Sequence, residues 1–164
     1  MIDLEYPLII SNNHYLAQID GRNFVIDTGS PLSFGSSRSL SFAGETKNLL
    51  PMRALGSRES MVNLVKTQVD GLIGTDFMME HEITLDKKSM KIIVDEHRII
   101  PAGSIGMGML DAVLIKGFPN MWIELNGKHV KAVLDTGACI SYASKSLVDG
   151  LPIVGTATDY NPNL

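Results

Sequence analysis

Phe24-Val25-Ile26-Asp27-Thr28-Gly29-Ser30-Pro31-Leu32-Ser33-Phe34-Gly35-Ser36 returns further along the chain as Ala132-Val133-Leu134-Asp135-Thr136-Gly137-Ala138-Cys139-Ile140-Ser141-Tyr142-Ala143-Ser144. The offset, from Asp27 to Asp135, is 108 residues throughout. Asp-Thr-Gly is identical in the two copies, Ser33 and Ser36 match Ser141 and Ser144, Leu32 matches Ile140, and an aromatic ring follows at Phe34 and Tyr142. A single Asp-Thr-Gly arises by chance in on the order of a few per cent of chains this long. Two in matching surroundings indicate one structural unit used twice.

Outward from each copy the pattern is β. Tyr15 to Ile19 and Phe24 to Ile26 flank Asp20-Gly21, and Met121 to Leu125 and Val130 to Leu134 flank Asn126-Gly127. Both dipeptides suit tight hairpins, whose two central residues take positive φ. In the second copy the turn lies two residues further from its Asp, which keeps every side chain on its own face because strand faces alternate with period two. Ile83 to Leu85 and Lys91 to Val94 form a third pair around Asp86-Lys87-Lys88-Ser89. Helix signals are short: Thr75 or Asp76 caps one running to Glu80, and Ser144 caps one running to Val148.

Each Asp leaves an apolar strand for a Thr-Gly turn, where backbone N–H groups hold a carboxylate that remains reachable. If the copies face each other across a pseudo-twofold axis, Asp27 and Asp135 meet. Two carboxyls about 3 Å apart cannot both ionise cheaply, so they share a proton. The charged member then activates a water while the protonated member polarises an amide carbonyl.

Hydrophobic-hydrophobic-Asp-Thr-Gly-Ser/Ala resembles the catalytic loops of the pepsin and retropepsin aspartic peptidases, and Leu72-Ile73-Gly74 resembles the element that threads beside the Asp loop in that family. The resemblance implies an all-β fold in minimal bilobal form: an acid-protease-like closed barrel or sandwich lobe plus a partial second lobe related by pseudo-twofold symmetry. The boundaries it suggests are a first lobe over 1–98, a connector over 99–111 and a second, incomplete lobe over 112–164. It implies Asp27 and Asp135 as catalytic residues of an endopeptidase that needs no cofactor and no metal and acts on a polypeptide. Thr28 and Thr136 would exchange hydrogen bonds between the lobes, Gly29 and Gly137 permit the close turn, and Ser30 would touch its Asp. Ala138 lacks that hydroxyl, which predicts a pH optimum less acidic than pepsin's.

Two departures stand out. No Tyr lies between Tyr15 and Tyr142 to serve as a flap tyrosine, leaving Ser41 to Met61, with Gly44 or Gly56 at the tip, and Pro152 to Asn163 as candidate flap sequence. A second-lobe counterpart of Leu72-Ile73-Gly74 would fall past Leu164, so either a missing C-terminal segment or another chain is expected to complete that lobe. Two alternatives therefore accompany the peptidase reading: a protease-like module that binds peptides or mediates assembly without cutting, and a retropepsin-like homodimer that pairs two copies of Asp27.

Composition narrows the field. The 164 residues carry 14 Lys+Arg against 18 Asp+Glu, a net charge of -4, without the basic footprint of a nucleic-acid binder. With 45% hydrophobic and 20% charged residues the chain has ordinary globular composition. One cysteine, Cys139, excludes an intrachain disulfide, and the acidic start Met1-Ile2-Asp3-Leu4-Glu5 is unlike a secretory signal. The apolar stretch 99–115 is broken by Pro101, three glycines and Asp111, so no membrane span is expected and the location expected is cytoplasmic. His14, His81, His97 and His129 show no metal spacing and read as surface residues, and Cys139 as a small buried apolar residue. Gly106-Met107-Gly108 lacks the third glycine of a dinucleotide loop and reads as connector. The nine Met residues read as core filler, with a peptide groove as the other reading.

Overall fold

The computed structural model describes residues 4–55, 58–95 and 117–156. Positive φ at both turn residues closes the first hairpin at Asp20 (49°) and Gly21 (72°), and the late hairpin at Asn126 (51°) and Gly127 (70°). In chain order the elements are β1 (Leu4–Ser11), β2 (His14–Ile19), β3 (Arg22–Ile26), β4 (Phe34–Gly35), β5 (Ser39–Phe42), β6 (Glu45–Asn48) and β7 (Leu50–Pro51). A 3-10 turn (Met52–Leu55) and α1 (Arg58–Val65) follow, then β8 (Gly71–Ile73), α2 (Thr75–Met78), β9 (Glu82–Asp86) and β10 (Lys91–Asp95). Beyond them lie β11 (Asn120–Leu125), β12 (Lys128–Val133) and α3 (Lys145–Val148). The protein is mostly strand, as the sequence pattern predicts.

Eight strands form one mixed sheet in the order β7-β4-β8-β3-β2-β1-β10-β9. β1 joins its two halves: Leu4 to Pro7 pair with β10, and Leu8 to Ser11 pair with β2. The expected closed barrel is not formed among the described residues, because the order is linear and its ends, β7 and β9, do not pair. The central strands are covered on both faces, which explains their unbroken apolar runs. Phe24, Ile26 and Ile73 turn to one cluster with Leu40, Phe42, Phe77 and Ile92, whereas Val25 and Leu72 turn to another with Met61 and Val65 of α1.

Several sequence expectations need correction. The stretch from Ser41 to Met61 is not a free flap. β5 and β6 form a hairpin whose Phe42 is wholly buried and stacked on Tyr6, and the Tyr6 hydroxyl accepts the Ala43 N–H at 2.9 Å. A flap over a cleft must stay unpacked to move, and this one supplies core. Gly56 lies outside the described residues. His14 is 1% exposed, not a surface residue, because it opens β2 under the Asn12-Asn13 turn, with its Nδ1 2.8 Å from the Asn12 carbonyl. His81 is half-buried against Phe42, while His129 is exposed. Met52, Met61 and Met78 fill the core, whereas Met79 and Met90 are exposed. His97, Gly106 to Gly108 and the 99–111 connector lie outside the described residues.

β11 and β12 form a separate two-stranded sheet, and no residue of 117–156 is fully buried. Two strands and one helical turn cannot enclose a core. This unit instead leans on the first through the loop that follows β12.

Candidate active site

β3 delivers Asp27 at its C-terminal end, where the Asp27 N–H donates to the Ile73 carbonyl at 3.0 Å and so continues the β3–β8 ladder by one residue. The chain then turns so that the Gly29 N–H donates to Asp27 Oδ1 at 2.8 Å. The second copy repeats the Asp–Gly turn, while among the described residues its strand is held by the β11–β12 hairpin rather than by a counterpart of β8. The Leu134 N–H donates to the Pro119 carbonyl at 2.9 Å, and the Gly137 N–H to Asp135 Oδ1 at 2.9 Å.

The two loops exchange hydrogen bonds reciprocally. The Thr28 N–H donates to Thr136 Oγ1 at 3.1 Å, and the Thr136 N–H to Thr28 Oγ1 at 3.0 Å. Each hydroxyl passes its own proton across: Thr28 Oγ1 to the Leu134 carbonyl at 2.5 Å, and Thr136 Oγ1 to the Ile26 carbonyl at 2.7 Å. Every bond thus has a counterpart at the offset of the sequence repeat, which is a local twofold arrangement within one chain.

That arrangement brings Asp27 and Asp135 together. The Asp135 carboxyl lies on the Gly29 backbone and the Asp27 carboxyl on that of Gly137, so closely that a Cβ at either glycine would overlap the facing carboxyl. Glycine is required there for space, not for φ. Burial, then the facing Asp135 carboxylate, pushes the Asp27 carboxyl from 3.8 up to about 7, against the lowering effect of the Gly29 and Ser30 N–H groups. The hydrogen bond between the two carboxyls adds to the rise. Asp135 is the more exposed of the two.

Leu72, Ile73 and Gly74 border this loop. Leu72 and Ile73 pair in parallel with Val25 and Ile26, and Gly74 sits where a Cβ would come within 2.6 Å of the Leu32 carbonyl oxygen and 2.7 Å of that of Ser30. Ser30 departs from expectation: its hydroxyl donates to the Leu32 carbonyl at 2.8 Å. A hydroxyl has one proton to give, so it does not donate to Asp27 as well. The hydroxyl-based difference expected between Ser30 and Ala138 is therefore absent at the carboxyls.

Sequence reasoning missed the brace behind the Asp27 loop. Neither Thr75 nor Asp76 caps α2, whose N-cap is Gly74; Asp76 instead bonds Ser33 through both carboxylate oxygens. The recurrence of Ser33 as Ser141 was its one visible signal. Elsewhere, Glu45, Glu80 and His81 gather at the surface, with Lys47 Nζ 3.0 Å from Glu80 and 3.8 Å from Glu45, so one ammonium already pairs with both carboxylates. Cys139 is a half-buried thiol outside any disulfide, more accessible than expected. No described helix is long and apolar enough to cross a membrane.

No family model, curated protein or solved structure matches this chain.

Proposed function

We propose that the chain is an aspartic-type endopeptidase, hydrolysing peptide bonds with a water activated between Asp27 and Asp135. The observation that carries this reading is the pair of facing carboxyls, held by reciprocal threonine bonds in duplicated loops. The ionised carboxylate takes a proton from the water as its oxygen attacks the amide carbon. The protonated carboxyl gives its proton to the carbonyl oxygen. The first carboxyl then passes the water's proton to the leaving nitrogen while the other carboxylate takes one back from the diol. The C–N bond breaks to a carboxylic acid and an amine, and the dyad regains its single proton. The raised Asp27 supplies the protonated member up to about pH 7, which supports a mildly acidic to neutral working range. The substrate is an extended polypeptide held by main-chain hydrogen bonds, with pockets selecting alternate side chains. On this reading 1–98 is an aspartic-peptidase lobe and 112–164 belongs to a second.

The homodimer alternative has less support, since Asp27 already packs against Gly137 of its own chain. A non-catalytic assembly module draws support from the exposure of Trp122 (61%), Tyr142 (56%), Ile153 (91%) and Val154 (97%). Digestion of a peptide library separates the two. Cleavage blocked by a statyl-type transition-state mimic and abolished by Asp27→Asn is the expected result, and cleavage that survives the substitution rejects the dyad.

A further inference from the structure

Asp76 stands on the first turn of α2, yet both its oxygens serve the loop that follows Asp27. Oδ2 accepts the Ser33 N–H at 3.0 Å and Oδ1 accepts the Ser33 hydroxyl at 2.6 Å. Ser33 is 1% exposed, and its hydroxyl oxygen accepts the Gly74 N–H at 2.9 Å. Beside it, the Thr75 N–H donates to the Ser30 carbonyl at 2.9 Å and the Thr75 hydroxyl donates to the same oxygen at 3.3 Å. Five hydrogen bonds therefore sew Ser30 and Ser33 to the turn Gly74 to Asp76. The same turn continues from Ile73, whose carbonyl receives the Asp27 N–H.

Among the described residues the second copy shows no such brace. Ser141, which corresponds to Ser33, is exposed and makes no hydrogen bond among the described residues. Within the described residues the Asp27 loop is thus the braced one, and the threonine bonds join it to the Asp135 loop.

We propose that Asp76 is a positioning residue for the proposed reaction, holding through Ser33 the loop on which Asp27 meets Asp135. The inference rests on the peptidase reading for its catalytic consequence and on the hydrogen-bond geometry for its structural one. Small displacements of a reacting group cost large factors in rate, so loss of this brace lowers kcat on the order of tenfold or more while leaving KM close to its starting value.

The test uses the full chain with Asp76→Ala, which removes the brace, and Asp76→Asn, which removes the charge but keeps an acceptor for the Ser33 N–H. Two readouts are taken for each: kcat and KM on a cleaved peptide, and the Asp27 titration midpoint from its carboxyl carbon NMR signal. In Asp76→Ala the midpoint is expected to fall toward 3.8 as water reaches the loosened loop, together with the loss in kcat, and Asp76→Asn is expected to restore most of both. A midpoint and kcat unchanged in Asp76→Ala overturn the positioning role while leaving the peptidase reading intact. An equal fall of the midpoint in Asp76→Ala and Asp76→Asn also overturns it, assigning the effect to charge alone. If the parent chain cuts no peptide, the peptidase reading fails, and the midpoint comparison still decides whether Asp76 holds the loop.

Discussion

Burial and the facing Asp135 carboxylate keep a proton on Asp27 far above the ordinary carboxylate range, and that proton links the site to stability. Below 3.8 the folded and unfolded chains both hold it. Between 3.8 and about 7 the unfolded chain has released it and the folded chain has not, so the unfolded state binds fewer protons and stability falls as pH rises through this window. Urea titrations across the window should show this slope, and Asp27→Asn, which cannot ionise, should remove it; a slope unchanged by the substitution contradicts the shift. At this scale the duplicated Asp-Thr-Gly was legible because the loop needs three specific residue types in sequence. The direction of the Ser30 hydroxyl and the burial of His14 were not, because a rotor chooses among neighbours that only the folded chain supplies.

Hairpins were the most readable elements, since Asp20-Gly21 and Asn126-Gly127 state their positive φ outright. β1 was not read as a strand. Pro7 interrupts its donor pattern, and the strand tolerates that residue at the point where pairing passes from β10 to β2. Nor was α1 read: only Met61 and Val65 bury one turn apart on it, too short a stripe to declare a helix. The Leu72-Ile73-Gly74 element was legible by resemblance, and the structure supplies the steric reason for its glycine, the Leu32 and Ser30 carbonyls at 2.6 and 2.7 Å from a built Cβ. Backbone atoms cannot swing aside as side chains do. Gly74→Ala should therefore destabilise the fold by about 1–3 kcal/mol and shift the Asp27 loop. Denaturant midpoints measure the first effect, and a loss under about 0.5 kcal/mol would show that the loop yields freely.

At the scale of the whole molecule, a two-faced sheet carries the core and a coreless hairpin unit is held to it at the paired loops. The open sheet was not legible, because closure depends on which strands lie at the ends, and no local pattern states that. If the threonine exchange is what docks the second unit, Thr136→Val removes one acceptor and one donor across the interface. Hydrogen exchange at the Thr28 amide should then accelerate by about fivefold or more, at roughly 1 kcal/mol per bond; an unaltered rate would mean that other contacts hold the units. The central claim, that Asp27 and Asp135 act as one catalytic pair within one chain, is tested most directly by the peptidase rates of Asp27→Asn and Asp135→Asn compared side by side. Both should abolish cleavage to the same background, whereas full activity in Asp135→Asn alone would contradict the pair.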